Sequence, residues 1–351
     1  MKRIFVVLLS ALSTLTAAAQ GFPLVTRATG ATPIYVDPQD HWLVSKVVGL
    51  FAQDVQRVTG TQPAILTDFS QAAKSPDLII VGSMDSSPLI RQLIKRKILP
   101  GDRQGKWENY LIQTVRQPFP GIDRALVITG SDRRGTAYAA LEVSRLIGVS
   151  PWYYWADVPV PHKDELYFDQ PNIISDGPAV KYRGFFINDE APALSGWVHE
   201  KFGNLNHHFY EHVFELLLRL KANYLWPAMW GNAFNDDDTL NPVLASQYGI
   251  VMGTSHHEPM LRAQQEWKRY GTGPWDYTTN APTLDSFWRI GIEHMDHHES
   301  IVTVGMRGDG DKPMQEGSNI ALLEKIVKNQ RAIIADVTKK PAEATDRKSV
   351  V

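Results

Sequence analysis

The chain has 351 residues, 43% of them hydrophobic and 21% charged, which is enough apolar material for a core and, by length, for two domains. A formal net charge of -2 without any dense Lys/Arg block excludes a polyanion-binding surface, so nucleic acid is not expected as a partner. Cysteine is absent, which excludes disulfides, a thiol nucleophile and thiolate metal ligands.

Residues 1–20 read as a secretory signal peptide. Lys2-Arg3 supplies a positive start, Ile4 to Leu15 is apolar but too short to span a bilayer, and Ala17-Ala18-Ala19 offers small residues for cleavage. A periplasmic or secreted location is expected, with no membrane attachment after cleavage.

From residue 21 to 179 strands alternate with helices, the pattern of an N-terminal α/β domain. Pro33–Val36, Asp77–Gly82 and Ala125–Gly130 read as strands. Trp42–Val58 carries Val44, Val47, Val48, Phe51 and Val55 at helical spacing, and Thr59-Gly60 ends it. Gly130-Ser131-Asp132 precedes a further helix; with no phosphate-loop spacing, it reads as a capped helix whose Gly135 allows close packing on the sheet. Trp152-Tyr153-Tyr154-Trp155 reads as an interdomain packing plug in preference to a sugar platform. Pro159, Pro161, Pro171 and Pro178 then punctuate a linker-like stretch.

Beyond it, residues 180–345 contain four apolar runs that each end in polar and aromatic residues. Short buried strands with such C-terminal ends are how a (β/α)8 barrel builds its active face. An amphipathic helix over Asn206–Lys221, with Phe209, Val213, Leu216, Leu217 and Leu220 on one face, separates the first run from the second. Later helices are expected over Pro282–His294 and Ser318–Val337.

The first run ends in Asn188-Asp189-Glu190. Adjacent side chains diverge at a strand end, so at most one of the two carboxylates faces the pocket, as acid, base or hydroxyl ligand, the alternative being a loop carboxylate that caps the next segment. The second ends in Trp226-Pro227-Ala228-Met229-Trp230-Gly231-Asn232, where indoles suit stacking on a pyranose and Asn232 suits a sugar hydroxyl. The adjacent Asp236-Asp237-Asp238 lacks calcium-loop spacing and reads as a solvated loop. Ser255-His256-His257-Glu258 ends the third run; its spacing matches no zinc motif, and its imidazoles suit an anionic substrate better than a metal. Met295-Asp296-His297-His298-Glu299 precedes the fourth run and reads as surface. The fourth ends in Arg307-Gly308-Asp309-Gly310-Asp311, an Arg that can grip a carboxylate in two places beside two carboxylates. Carboxylates, indoles, imidazoles and an Arg together suit a negatively charged sugar.

These motifs resemble glycoside hydrolase family 115: Phe185-Phe186-Ile187-Asn188-Asp189-Glu190, Leu225-Trp226-Pro227-Ala228-Met229-Trp230, Gly253-Thr254-Ser255-His256-His257-Glu258-Pro259-Met260 and Gly305-Met306-Arg307-Gly308-Asp309-Gly310-Asp311. The resemblance runs from about Pro33 to Lys340. It implies an inverting xylan α-1,2-glucuronidase that takes glucuronic acid or its 4-O-methyl ether from xylan or glucuronoxylan oligosaccharides, without a cofactor and without a metal, and it admits a homodimer of the full-length protein. The implied catalytic carboxylates are drawn from Asp189, Glu190, Asp309 and Asp311. Asn188, Trp226, Trp230, Asn232, His256, His257, Glu258 and Arg307 are the implied substrate-binding residues. Two later strand ends of the family have no counterpart here, and one of them carries a principal carboxylate.

The expected fold class is therefore α/β: an N-terminal α/β domain followed by the first half of a (β/α)8 TIM-like barrel, truncated. Asp346–Val351 reads as a non-native tail of the kind a sequencing adapter encodes, and the natural chain is expected to continue past Thr345. Residues 21–345 alone are expected to be inactive. A hexosaminidase-like barrel glycosidase and a non-catalytic carbohydrate-binding fragment are the alternatives.

Overall fold

A computed structural model describes residues 21–170, 172–295, 297–310, 312–314 and 319–345. Residues 1–20, read above as a leader, residues 346–351, read as a non-native tail, and Asp311 lie outside the described residues.

In chain order the first part contains β1 (Phe22–Thr26), β2 (Gly30–Ala31), β3 (Ile34–Val36), α1 (Trp42–Thr59), β4 (Ile65–Leu66), α2 (Phe69–Ala72), β5 (Asp77–Ser83), α3 (Pro88–Lys95), β6 (Tyr110–Arg116), β7 (Arg124–Gly130), α4 (Arg133–Ile147), β8 (Leu166–Phe168) and β9 (Asn172–Ser175). A six-stranded sheet has the order β4-β3-β5-β7-β6-β9. Its first four strands are parallel, and β6 runs antiparallel to both of its neighbours. Period-two alternation covers both faces. Ile79, Val81, Leu126 and Ile128 point into a core shared with α1 and α4. Leu78, Ile80, Ala125 and Val127 point to the opposite face with Leu89, Ile90 and Leu93 of α3.

Local sequence fixes the ends of the two long helices. α1 stops at Gly60, whose φ of 77° supplies the left-handed cap. α4 starts at Asp132, whose Oδ1 accepts from the Gly135 N–H at 2.8 Å. A Cβ on Gly135 would lie 2.3 Å from the Asn109 carbonyl oxygen, so glycine lets the helix lie directly on the chain below.

The Pro-punctuated stretch is more than a linker, because it supplies β8, antiparallel to β1, and β9 at the edge of the large sheet. A short edge strand tolerates neighbouring prolines since half its backbone groups face away from the ladder. Most of the aromatic run at 152–155 packs: Tyr154 stacks on His212 with ring centres 4.1 Å apart, and Trp155 abuts Trp197 and Phe209, whereas Trp152 is exposed.

The second part contains β10 (Gly184–Phe186), α5 (Ala193–Phe202), α6 (His207–Arg219), β11 (Tyr224–Trp226), α7 (Phe234–Asp237), α8 (Leu240–Gln247), β12 (Val251–Met252), α9 (Gln264–Tyr270), α10 (Tyr277–Met295), α11 (Ile320–Thr338) and α12 (Ala342–Thr345), with a 3-10 turn at Pro259–Leu261. β10, β11 and β12 form a parallel sheet. Leu225 is fully buried in its centre, whereas β10 is an edge and leaves Phe185 and Phe186 36% and 37% exposed, so the first run is not a buried strand.

The fourth apolar run is not a regular strand either. It makes one parallel bridge, Met252 to Ser300, through Met252 N to Glu299 O at 3.1 Å and Ile301 N to Met252 O at 2.9 Å. Beyond that point Met260 N donates to Thr303 O, and the Thr303 hydroxyl donates to Thr254 O, so the loop after β12 takes over the ladder.

Buried charges join the two parts. Arg219 on α6 meets Asp54 on α1 at 2.8 Å and Glu215 at 2.7 Å, and the Tyr153 hydroxyl donates to the same Glu215. Glu108 receives Arg134, Arg183 and Asn223 at 2.6–2.7 Å, which pins the starts of β10 and β11 under the large sheet. Arg134 also binds Glu299, so the segment read as surface is partly anchored. The Asp236–Asp238 triplet is likewise no solvated loop, since Asp236 and Asp237 pair with Arg269 and Asp238 pairs with His207. Among the described residues no helix is long and apolar enough to cross a membrane.

Candidate active site

The segments that follow β10, β11, β12 and the Ser300 bridge meet on one side of the parallel sheet. Parallel strands deliver their C-terminal ends to the same face, which is why four sequence-distant motifs become neighbours.

Asp189 ties the first motif to the second. Its side chain is buried, with Oδ1 accepting from the Met229 and Trp230 N–H groups at 2.9 and 3.2 Å and Oδ2 from Asn232 Nδ2 at 2.6 Å. Asn232 also donates to Trp230 O, so its amide serves the loop. Glu190 points the other way, exposed, with Asn188 Nδ2 at 3.4 Å. The expected divergence of adjacent side chains is present, and the inward carboxylate is a loop clamp.

The indoles differ in environment. Trp226 is half-buried, donates to the Tyr224 hydroxyl and sits edge-on to Phe186. Trp230 is 46% exposed; its Nε1 donates to Asn188 Oδ1 at 3.1 Å, and its ring centre lies 5.9 Å from that of His257. Of the pair, Trp230 offers the open ring face.

In the third motif His256 is exposed and lies 3.2 Å from Ser255 Oγ, while His257 is buried. Glu258 is 3% exposed and accepts from Gln264 N at 3.1 Å. Burial, with Glu266 and Asp189 nearby, pushes its carboxyl up to about 8. Glu266 faces the same small cavity and is also pushed up by burial. At neutral pH the uncharged acid of Glu258 is therefore favoured over the carboxylate.

In the fourth motif Arg307 and Asp309 are exposed. Trp275 Nε1 holds the Arg307 carbonyl at 2.8 Å, and Gly308 N donates to Lys312 O at 2.6 Å to close a tight turn. A Cβ on Gly308 would lie 2.3 Å from Pro313 O, so glycine is required there. Asp309 Oδ1 accepts from Gln264 Nε2 at 2.5 Å.

Gln264 thus links the third and fourth motifs, and it was not singled out from sequence. It lies in the first turn of the helix after β12, and polar residues there carry no motif spacing. With Gln265, Lys268, Lys312, Met229, Trp230, Gly231, Gly310 and Asp309 it lines a cleft of about 290 Å³. Among the described residues no group of three or more His, Asp or Glu side chains could hold a metal.

Residues 175–351 match the profile of glycosyl hydrolase family 115. The chain belongs to that family. Among solved structures it is similar to BtGH115A, a family 115 4-O-methyl-α-glucuronidase with specificity for decorated arabinogalactans, at 32% identity and a TM-score of 0.76, over 88% of this chain and 41% of that one. It also resembles, at the level of fold, the Streptomyces plicatus N-acetyl-β-hexosaminidase (12% identity, TM-score 0.51, 90% of this chain and 61% of that one) and the Flavobacterium johnsoniae chitobiase (12%, 0.51, 91% and 49%). None of the curated proteins matches. The chain spans less than two thirds of each of these solved structures. As a family 115 member it has a mixed α/β fold.

Proposed function

We propose that this chain is a portion of a secreted enzyme that removes glucuronic acid or 4-O-methylglucuronic acid side chains from a plant polysaccharide, with xylan as the first candidate. The observation that carries the reading is the convergence of the Asp189, Trp230, His256-His257-Glu258 and Arg307-Asp309 segments at one sheet face in a family 115 chain. We read β10, β11, β12 and the bridged run at Ser300 as the first four strand positions of a (β/α)8 barrel, preceded by an α/β domain. The exposed outer edge of β10 supports this, because a further strand would cover it. The leader at residues 1–20 supports secretion.

The chemistry follows from the side chains. Trp230 offers an apolar ring face for a pyranose. Arg307 would bind the uronate carboxylate, and the neutral Glu258 supports the pocket without adding an anion beneath it. Inversion requires one carboxylic acid for the leaving oxygen and one carboxylate for water, separated enough to admit that water. Glu190 and Asp309 are exposed and available for such roles, whereas Asp189 acts first on the loop that carries Trp230. Asp311 lies outside the described residues and stays a candidate by its place in the motif.

Arabinogalactan is the second substrate candidate, because BtGH115A is specific for decorated arabinogalactans. The test is a hybrid enzyme in which residues 21–345 replace the matching region of BtGH115A, assayed on glucuronoxylan and on decorated arabinogalactan. Release of uronic acid from the xylan supports the reading. Release from arabinogalactan alone would reassign the substrate, and activity on hexosaminides alone would defeat the glucuronidase reading.

A further inference from the structure

The cleft beside the strand ends contains groups that none of the motifs covers. Lys268 lies one turn beyond Gln264 on α9, and Lys312 closes the turn that begins at Gly308. Both are exposed and both line the 290 Å³ cleft with Gln264, Gln265 and the open face of Trp230.

The neighbouring cations are already engaged. Arg262 pairs with Glu266 at 3.0 Å, and Arg269, adjacent to Lys268, pairs with Asp236 and Asp237. Lys268 and Lys312 make no ion pair among the described residues. Among the described residues the single carboxylate in the cleft lining is Asp309, which is held by Gln264. The described residues of the cleft therefore present two ammonium groups and two carboxamides around an indole, with more positive than negative charge among them.

A pyranose that stacks on Trp230 has its equatorial substituents at the ring edge, where ammonium donors can reach them. An ammonium on a flexible stem is a point charge that accepts a carboxylate in many orientations, unlike the fixed fork of an Arg. We propose that Lys268 and Lys312 are specificity-determining residues that read the carboxylate of an acidic sugar bound in the Trp230 cleft. This deepens the glucuronidase reading and rests on it for the identity of the sugar.

Both lysines are solvent-exposed, so each contributes modestly and in a salt-dependent way. The test is equilibrium binding of the chain to methyl α-glucuronide, its uncharged amide, methyl α-galacturonide and methyl N-acetyl-β-glucosaminide, at low and high salt, for the unaltered chain, K268M, K312M and the double variant. The expected result is a preference for glucuronide over its amide that shrinks about two- to fivefold in each single variant and further in the double, leaving only the part that Arg307 supplies. Binding of the amide should be unchanged, which also shows that the variants are folded.

A glucuronide preference as large in the double variant as in the unaltered chain overturns the lysine proposal and leaves the glucuronidase reading standing. Lysine-dependent binding of galacturonide in place of glucuronide keeps the cleft as an acidic-sugar site and removes the glucuronidase reading. Preference for the N-acetylglucosaminide, or no binding of any sugar, overturns both.

Discussion

Asp189 Oδ2 and Asn232 Nδ2 lie 2.6 Å apart, and through that contact one buried carboxylate sets the shape of the loop that carries Trp230. The same carboxylate receives two backbone N–H groups from that loop. Asp189→Ala should cost about 1–3 kcal/mol in urea unfolding, because it leaves those donors without their acceptor. Asp189→Asn is expected to cost nearly as much, since its amide would face the Asn232 amide donor-to-donor, and Asn232 cannot turn without losing Trp230 O. Unchanged stability for both variants would contradict the clamp.

Glu258 gives the protein a pH signature. Its carboxyl, ordinarily near 4.5, is pushed up to about 8 by burial, so between those values the folded state holds a proton that the unfolded state has released. Stability from this group is therefore full below about pH 4.5 and falls as pH rises toward 8, with a limiting slope of about 1.4 kcal/mol per pH unit. Glu266, raised in the same direction, adds to the fall. Thermal melts of Glu258→Gln across pH 5–8 should show a shallower decline than the unaltered chain; parallel curves would contradict the assignment.

The Asp54–Arg219–Glu215 cluster predicts a large penalty for breaking one member. Arg219→Met leaves Glu215 without its cation and the fully buried Asp54 with Arg57 alone, and should cost about 3 kcal/mol in denaturant. Pairing it with Asp54→Asn should recover part of the loss, and strict additivity of the two substitutions would show that the contact is not energetically coupled.

Gly135→Ala inverts a general rule. Alanine in a helix ordinarily gains about 0.5–1 kcal/mol over glycine. Here the added methyl would meet the Asn109 carbonyl oxygen at 2.3 Å, so the thermal midpoint should drop. A rise would mean that α4 does not sit so close to the sheet.

Much of the first sheet was legible in sequence because its parallel strands are continuous apolar runs and its two long helices carry clear stops and caps. β6 was harder to see: Tyr110–Arg116 mixes Gln113 and Thr114 into its apolar positions, and its antiparallel direction depends on β7, not on local pattern. The second part was legible as motifs more than as strands. β10 has the right residues but lies at an edge, and the run from Ile301 loses its ladder to Thr254 and Met260 after one bridge. The site motifs were visible as residue types, yet their directions were not. Nothing local says that Asp189 turns inward to hold three donors while Glu190 faces solvent. Gln264, Lys268 and Lys312 gave no signal, because isolated polar residues at a helix start or in a turn acquire meaning only when the cleft is assembled.

The central claim, hydrolysis of an α-linked glucuronic acid side chain, is tested most directly by time-resolved proton NMR of the BtGH115A hybrid acting on 4-O-methylglucuronoxylan. The account predicts that 4-O-methylglucuronic acid accumulates with its β-anomer appearing first, as inversion of an α-linkage requires. Absence of any released uronic acid from a folded hybrid, with release of N-acetylglucosamine from hexosaminides in its place, would contradict it.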